Sequence, residues 1–576
     1  MVRLLLVMCG ALLAAVVGAH ADAPTTLYIR GNIHTMDPGQ PRAEAMAVRE
    51  GRIVAVGSEA HVLEAISDAA AEGSAATRVD LAGRTVLPGL IDSHGHMTGL
   101  GAIHLNVLDL SGTRTYEEII EAVAARVAKA KPGEWIQGRG WDHESWPERQ
   151  LPTHEALSRV SPNNPVILGR VDGHAALANA AAMQAAGVNA QSTSPEGGEI
   201  LRDPRGSLTG VFVDNAMDLL RAALPSSARG NTQDMLLKAQ ELCLSAGVTG
   251  VHDAGVGERE IEAYQAIEAS GRLKLRVYAM VRAAQAPAWF EKHGIKKGEG
   301  RVNGHDERLT IRSTKMYVDG ALGSRGAWLL EPYADRSAAA DGSAYTGLAV
   351  GQPAEVEKLA AHALKHGYQV CTHAIGDRGN REVLDAYSRA MKAAGGVVAG
   401  DRSPRFRVEH AQVLAPADIP RFRELGVIAA MQATHATSDM RWAEARVGPE
   451  RAKGAYAWAS LLASGAVVAG GSDFPVESHN PFLGLYAAVT RQNAAGEPAG
   501  GWMPQERMTR EEALRSYTAY AAYAGFAETL RGTLSAGKQA DFIVIDRDVM
   551  VCEPREILGT KVLMTVVGGE VVWEGR

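Results

Sequence analysis

The chain has 576 residues, with 59 lysines and arginines against 66 aspartates and glutamates, a net charge of −7. With 46% hydrophobic and 22% charged residues it has globular composition, which excludes general disorder and allows a large core. The acidic balance argues against a broad nucleic-acid surface, and 62 glycines without a three-residue period exclude a collagen-like fibre.

Residues 1–21 read as an export leader. One charge, Arg3, precedes an apolar run from Leu4 to Gly18, and Ala19-His20-Ala21 offers a small-residue cleavage site before Asp22. The run is shorter than a spanning helix needs. The expectation is a periplasmic or secreted protein without a stable membrane anchor after cleavage. Cys243, Cys371 and Cys552 then remain, with no C-x-x-C pair, so the fold must be held by its core rather than a disulfide framework.

From there to residue 87 the chain reads as short strands: Leu27–Gly31, Ala45–Val48 and Arg52–Gly57, with Glu50-Gly51 as the turn between the last two, then Val79–Leu87. The C-terminus has the same style, in Asp541–Asp546, Val562–Val567 and the Gly568-Gly569 turn into Glu570–Trp573. Residues 22–87 and 531–576 are therefore expected to build one β-domain. Between them, residues 88–530 alternate short apolar strands with helical stretches such as Gln233–Ala246, Ala354–Lys365 and Asn380–Ala394. The strands are Val86–His94, Val251-His252, Leu275–Val281, Leu309–Val318, Tyr368–His373, Phe406–His410, Val427–Met431 and Val467–Gly470. Eight β/α units predict an α/β fold, a (β/α)8 TIM barrel with its site at the C-terminal strand ends. The long gap between the first two strands predicts a large insertion at about 100–240, as a cap or side lobe.

Chemistry-bearing residues recur at these strand ends. His94 and His96, two apart after the first strand, point to one face as a metal-ligand pair requires. His373 and His410 end the fifth and sixth strands; each alone reads as a structural histidine, but two at equivalent places converge on the barrel mouth. Asp473, after the last strand, suits a turn cap or a metal ligand that also handles a proton. Lys315 lies inside an apolar strand and needs a salt-bridge partner or a chemical modification. In the insertion, Asp172 and His174 either contact substrate or tie down their loop. Trp141 and Asp142 either line the pocket or form a packed aromatic with a capping acid. His435, just past the seventh strand, reads as a substrate contact or a structural histidine, outside the ligand set.

Taken together, these motifs and the tail Gly532–Asp541 resemble the amidohydrolase superfamily over nearly the whole mature chain. The segments Gly138–Asp142, Arg170–Ala175, Lys315–Gly326 and Met431–Asp439 resemble more narrowly the branch containing N-substituted formamide deformylase. The resemblance implies a metal-dependent hydrolase-type barrel with a small β-sandwich domain from both termini. It implies one or two divalent metals, zinc by default, with His94, His96 and Asp473 at one position and His373 and His410 at the other. Lys315, as a CO2-derived carbamate, would bridge them. It further implies hydrolysis of a non-peptide C–N bond in a small amide, N-substituted formamide or cyclic amide, by a metal-bound hydroxide with Asp473 moving the proton. An esterase or lactonase on the same site, and a non-catalytic metal- or solute-binding protein, are the alternatives. Such barrels often form homo-oligomers, and nucleic acid is not an expected partner.

Overall fold

In a computed structural model, the protein is described over residues 24–71, 76–293, 308–339, 341–396 and 403–575. The leader read at residues 1–21 lies outside the described residues. Among the described residues no helix is long and apolar enough to cross a membrane.

Eight parallel strands make the central sheet: β1 (Leu90–Gly95), β2 (Val248–Val256), β3 (Arg276–Arg282), β4 (Leu309–Tyr317), β5 (Gln369–Ala374), β6 (Arg407–His410), β7 (Ile428–Gln432) and β8 (Val468–Gly471). They neighbour one another in chain order from β1 to β8. Each is buried along nearly its whole length, which is why parallel strands read as apolar runs rather than alternations. The seam between β8 and β1 is closed by polar groups just beyond the strands. The Asp473 and His96 amides donate to the carbonyls of His94 and Phe474 at 2.7 and 2.8 Å. The buried Asp92 carboxylate accepts from the Ser472 hydroxyl at 2.6 Å and the His94 amide at 3.0 Å. Helices Thr232–Ser245, Pro353–His366 and Asp377–Ala393 lie within two or three residues of their predicted limits.

The segment Val86–His94, expected as one strand, is two. Thr85–Pro88 belongs to a different sheet, and β1 begins at Leu90. Gly89 makes the join: its amide donates to the Asp541 carbonyl at 2.9 Å, and a Cβ here would sit 2.3 Å from Thr249 Oγ1. Thr85–Pro88 pairs antiparallel with Phe542–Ile545 in a six-stranded sheet that mixes strands from both ends of the chain. A four-stranded sheet of residues 25–80 carries the predicted hairpin, with Glu50 and Gly51 both at positive φ as its turn. The two sheets share a core of Tyr28, Met46, Ile53, Val86, Phe542 and Val544.

This β-unit is fastened to the base of the barrel by a buried pair. Arg276, at the start of β3, donates from Nε and a terminal nitrogen to both Asp541 oxygens, at 2.5 and 2.9 Å. Removing one member of such a pair strands the other charge. Arg276→Ala is expected to lower stability by about 3–5 kcal/mol, read as a shift in the denaturant midpoint. An unshifted midpoint would show that the bond fastens nothing.

The insertion has its own six-stranded mixed sheet, in the order Gly198–Arg202, Leu208–Asp214, Ala175–Ala178, Val166–Arg170, Ile136–Trp141 and Leu108–Asp109. Its core includes Leu110, Trp141, Trp146 and Leu168. Its loops face the barrel mouth.

Candidate metal centre

Five of the predicted donors meet at the mouth. His94 Nε2 and His96 Nε2 approach the same Asp473 oxygen, Oδ1, at 3.6 and 3.1 Å. The His94 and His410 ring centroids are 4.8 Å apart, and His410 and His373 are 4.5 Å apart. His410 and Asp473 follow their strands in left-handed backbone, φ 77° and 60°. That conformation costs a non-glycine residue energy, and such strain concentrates where a side chain must be aimed.

The ring nitrogens away from the cavity are occupied. His94 Nδ1 is bonded to Glu409, His96 Nδ1 donates to the Ala254 carbonyl at 2.9 Å, and His410 Nδ1 donates to Gln432 Oε1 at 2.8 Å. Such partners fix the tautomer and leave a lone pair on Nε2. His373 instead turns Nε2 toward the Gly320 carbonyl at 3.4 Å and Asp319 at 3.5 Å, leaving Nδ1 as its free donor. Burial, helped by neighbouring positive charge, holds His94, His373 and His410 well below the usual histidine pKa, so they are neutral, as ligation requires. Asp319 is itself raised to about 7 by burial, although three backbone amides donate to it.

Burial works against an ionised Asp473, but His96, His94 and His435 outweigh it and hold its carboxyl below the ordinary range. Its Oδ1 is buried and makes no hydrogen bond. A carboxylate oxygen hidden from water and facing imidazole lone pairs is poorly compensated by protein alone. A divalent cation bound by neutral nitrogens and a carboxylate oxygen fits this donor set.

Lys315 is 2% exposed on β4. Its Nζ lies 3.1 Å from His94 Nε2 and 4.8 Å from the Tyr317 ring centroid. Among the described residues no carboxylate comes within ion-pair distance of it.

The insertion residues divide. Asp172, His174 and Asp142 line the cavity at the mouth, a space of about 180 Å³. Asp172 is bonded to Arg170 and accepts from the His174 amide at 3.0 Å. His174 Nδ1 donates to Asp214 at 2.6 Å, and its ring lies 4.9 Å from His373. Burial disfavours its charge, but the Asp214 carboxylate more than offsets this and raises its pKa. Asp142 caps the turn His143–Ser145 and pairs with Arg170 at 2.7 Å and Arg441 at 3.0 Å. Trp141 is apart from the cavity; fully buried, it donates its indole N–H to the Leu168 carbonyl at 2.7 Å. His435 lies beside the predicted ligands: Nε2 is 3.8 Å from Asp473 Oδ2, with no hydrogen bond, and its ring is stacked 5.9 Å from His410. Sequence reasoning gave no role to Glu409, Arg407, Asp319, Asp214 or Gln432, the partners that orient the histidines.

The model of the amidohydrolase family matches residues 77–573. The chain belongs to the amidohydrolase family. It is 35% identical over 558 residues to the Arabidopsis thaliana protein LONG AFTER FAR-RED 3, covering 95% of this chain and 91% of that one. To the N-substituted formamide deformylase of Arthrobacter pascens it is 29% identical over 563 residues, covering 95% and 98%. Among solved structures, an uncharacterized metal-dependent hydrolase from Pyrococcus horikoshii superposes with a TM-score of 0.72 at 27% identity, covering 92% of this chain and 99% of that one. With the donor set at its barrel mouth, this amidohydrolase is metal-dependent.

Proposed function

We propose that the protein hydrolyses a carbon–nitrogen bond in a small non-peptide amide, N-substituted formamide or cyclic amide, outside the cytoplasm. The observation that carries this reading is the buried, unbonded Asp473 Oδ1 among imidazole nitrogens at the barrel mouth. His94, His96 and Asp473 would hold one divalent cation, zinc by ligand type, and His373 and His410 a second. A bound cation supplies Lewis acidity, which makes water a nucleophile at neutral pH and polarises the acyl oxygen.

The chain's own groups do the rest. Asp473 takes the proton from the attacking water and delivers it to the leaving nitrogen, which departs as an amine. His174, whose Nδ1 is held by Asp214 and whose pKa that carboxylate raises, faces the acyl oxygen from the cavity wall and in its protonated form offers it a hydrogen bond. Arg170, Asp142, Asp172 and Arg441 are paired with one another and form a rigid polar rim. The small cavity suits a compact substrate rather than a peptide. Lys315 would become an anionic bridge when Nζ adds to the carbon of CO2 and releases a proton; its burial without a carboxylate partner supports this. The likeness to a formamide deformylase favours formyl amides among the substrates.

The test is a screen of N-substituted formamides, open-chain amides, cyclic amides, esters and lactones, following amine or acid release, on protein purified without chelator. Hydrolysis of an acyl–nitrogen substrate should fall to background after chelation and return with added zinc. Intact mass before and after acidification reads the mass of one CO2 on Lys315. Full activity in metal-stripped protein, or turnover of oxygen esters alone, would overturn the reading.

A further inference from the structure

We infer that the outside of the barrel holds a separate zinc-class cation, bound by Glu291, His362 and His366 between the helices that follow β3 and β4. Those helices are Ala286–His293 and Pro353–His366. His362 and His366 are four residues apart and so lie on one helix face, one turn above the other. Glu291, from the neighbouring helix, sets one oxygen 3.6 Å from His362 Nε2 and 3.5 Å from His366 Nε2. The three donor atoms all lie within 4.8 Å of one another.

Direct hydrogen bonding does not account for this arrangement. Both Nε2 atoms are shut off from water and neither has a hydrogen-bond partner. Two unsatisfied buried nitrogens facing one carboxylate oxygen ask for an occupant. Tetrahedral zinc with bonds of about 2.0–2.2 Å sets neighbouring ligand atoms roughly 3.3–3.6 Å apart, which is the spacing of the glutamate to each histidine. Two histidines and a carboxylate are also a donor set that zinc accepts. The rings are held in place from below, because Phe290 stacks on His362 at 5.8 Å and on His366 at 6.5 Å. The Glu291 side chain is 63% exposed, so the cation has a way in from solvent. The group shares no residue with the barrel-mouth centre. Its occupant would clamp two consecutive β/α units rather than serve the reaction.

The test uses full-length holoenzyme and zinc chloride alone as probe. Wild type should carry one more zinc per chain than the double variant His362→Ala/His366→Ala, and zinc should raise the thermal midpoint of wild type but not of that variant. Glu291→Gln, at an exposed position that tolerates substitution, should weaken uptake at this site at least ~10-fold by calorimetric titration, and it carries the test alone if the double variant does not fold. His96→Ala, which damages only the barrel mouth, should keep the outer zinc and its thermal shift. Equal zinc content in wild type and double variant, or a titration unchanged by Glu291→Gln, would overturn the inference.

Discussion

Asp473→Asn should lower turnover at least ~10³-fold while leaving the protein folded. The substitution keeps the size of the side chain and one oxygen, so the packing at the β8–β1 seam is retained. It removes the negative charge of the donor set, and with it the only acidic group among the described residues that reaches both His94 and His96. An amide cannot accept the proton of the attacking water, and a neutral oxygen is a weaker ligand for a divalent cation. Two readouts separate these losses: kcat on the best substrate from the screen, and metal per chain by mass spectrometry. Retention of more than a tenth of wild-type turnover would remove Asp473 from the chemistry.

Glu409→Ala should be the most damaging change at a residue that touches no substrate. Glu409 is fully buried, bonds His94 Nδ1, and pairs with the equally buried Arg407, Nε to Oε1 at 2.7 Å. Arg407 in turn donates to the Ser93 carbonyl at 2.7 Å and bonds His252 Nδ1 at 2.8 Å, so it cannot swing out to water. Losing the carboxylate leaves an unpaired guanidinium in the barrel interior, at a cost of about 3–5 kcal/mol. It also frees the His94 ring, which should weaken metal binding roughly 10–100-fold. Arg407→Met combined with Glu409→Leu should recover much of the stability and none of the metal affinity. Denaturant unfolding and metal titration on the three proteins check this. Equal loss of stability in single and double variants would contradict the buried-charge account.

The barrel was legible because its strands are short apolar runs, three of which end at or beside a histidine: His94, His373 and His410. Covered on both faces, such strands carry their signal in composition rather than in alternation. His94 and His96 were legible by spacing, and Asp473 by its place after the last strand. The insertion's sheet was not legible. Strands such as Ile136–Trp141, with glycine and arginine at alternate positions, lack an apolar run, and their partners lie far along the chain. His435, three residues past β7, reads from sequence as a substrate contact or a structural histidine. The helix Ala433–Asp439 starts at once and turns that side chain back over the mouth. Glu409 stood in view beside His410, two residues from Arg407 on the same strand. Its role needed the cross-barrel distance to His94, which no local pattern contains.

The pairing of Thr85–Pro88 with Phe542–Ile545 also governs how the molecule is made. A strand synthesised early has no neighbour on that side until almost the whole chain has been translated. Contacts so distant in sequence form late, because the intervening loop entropy must be overcome first. Until then the early strand is an open edge, exposed to pairing with other chains. A chain cut short before residue 541 would keep that edge and deprive Arg276 of the Asp541 carboxylate. Incomplete copies are therefore marked for aggregation or proteolysis by the same residues that complete the finished one.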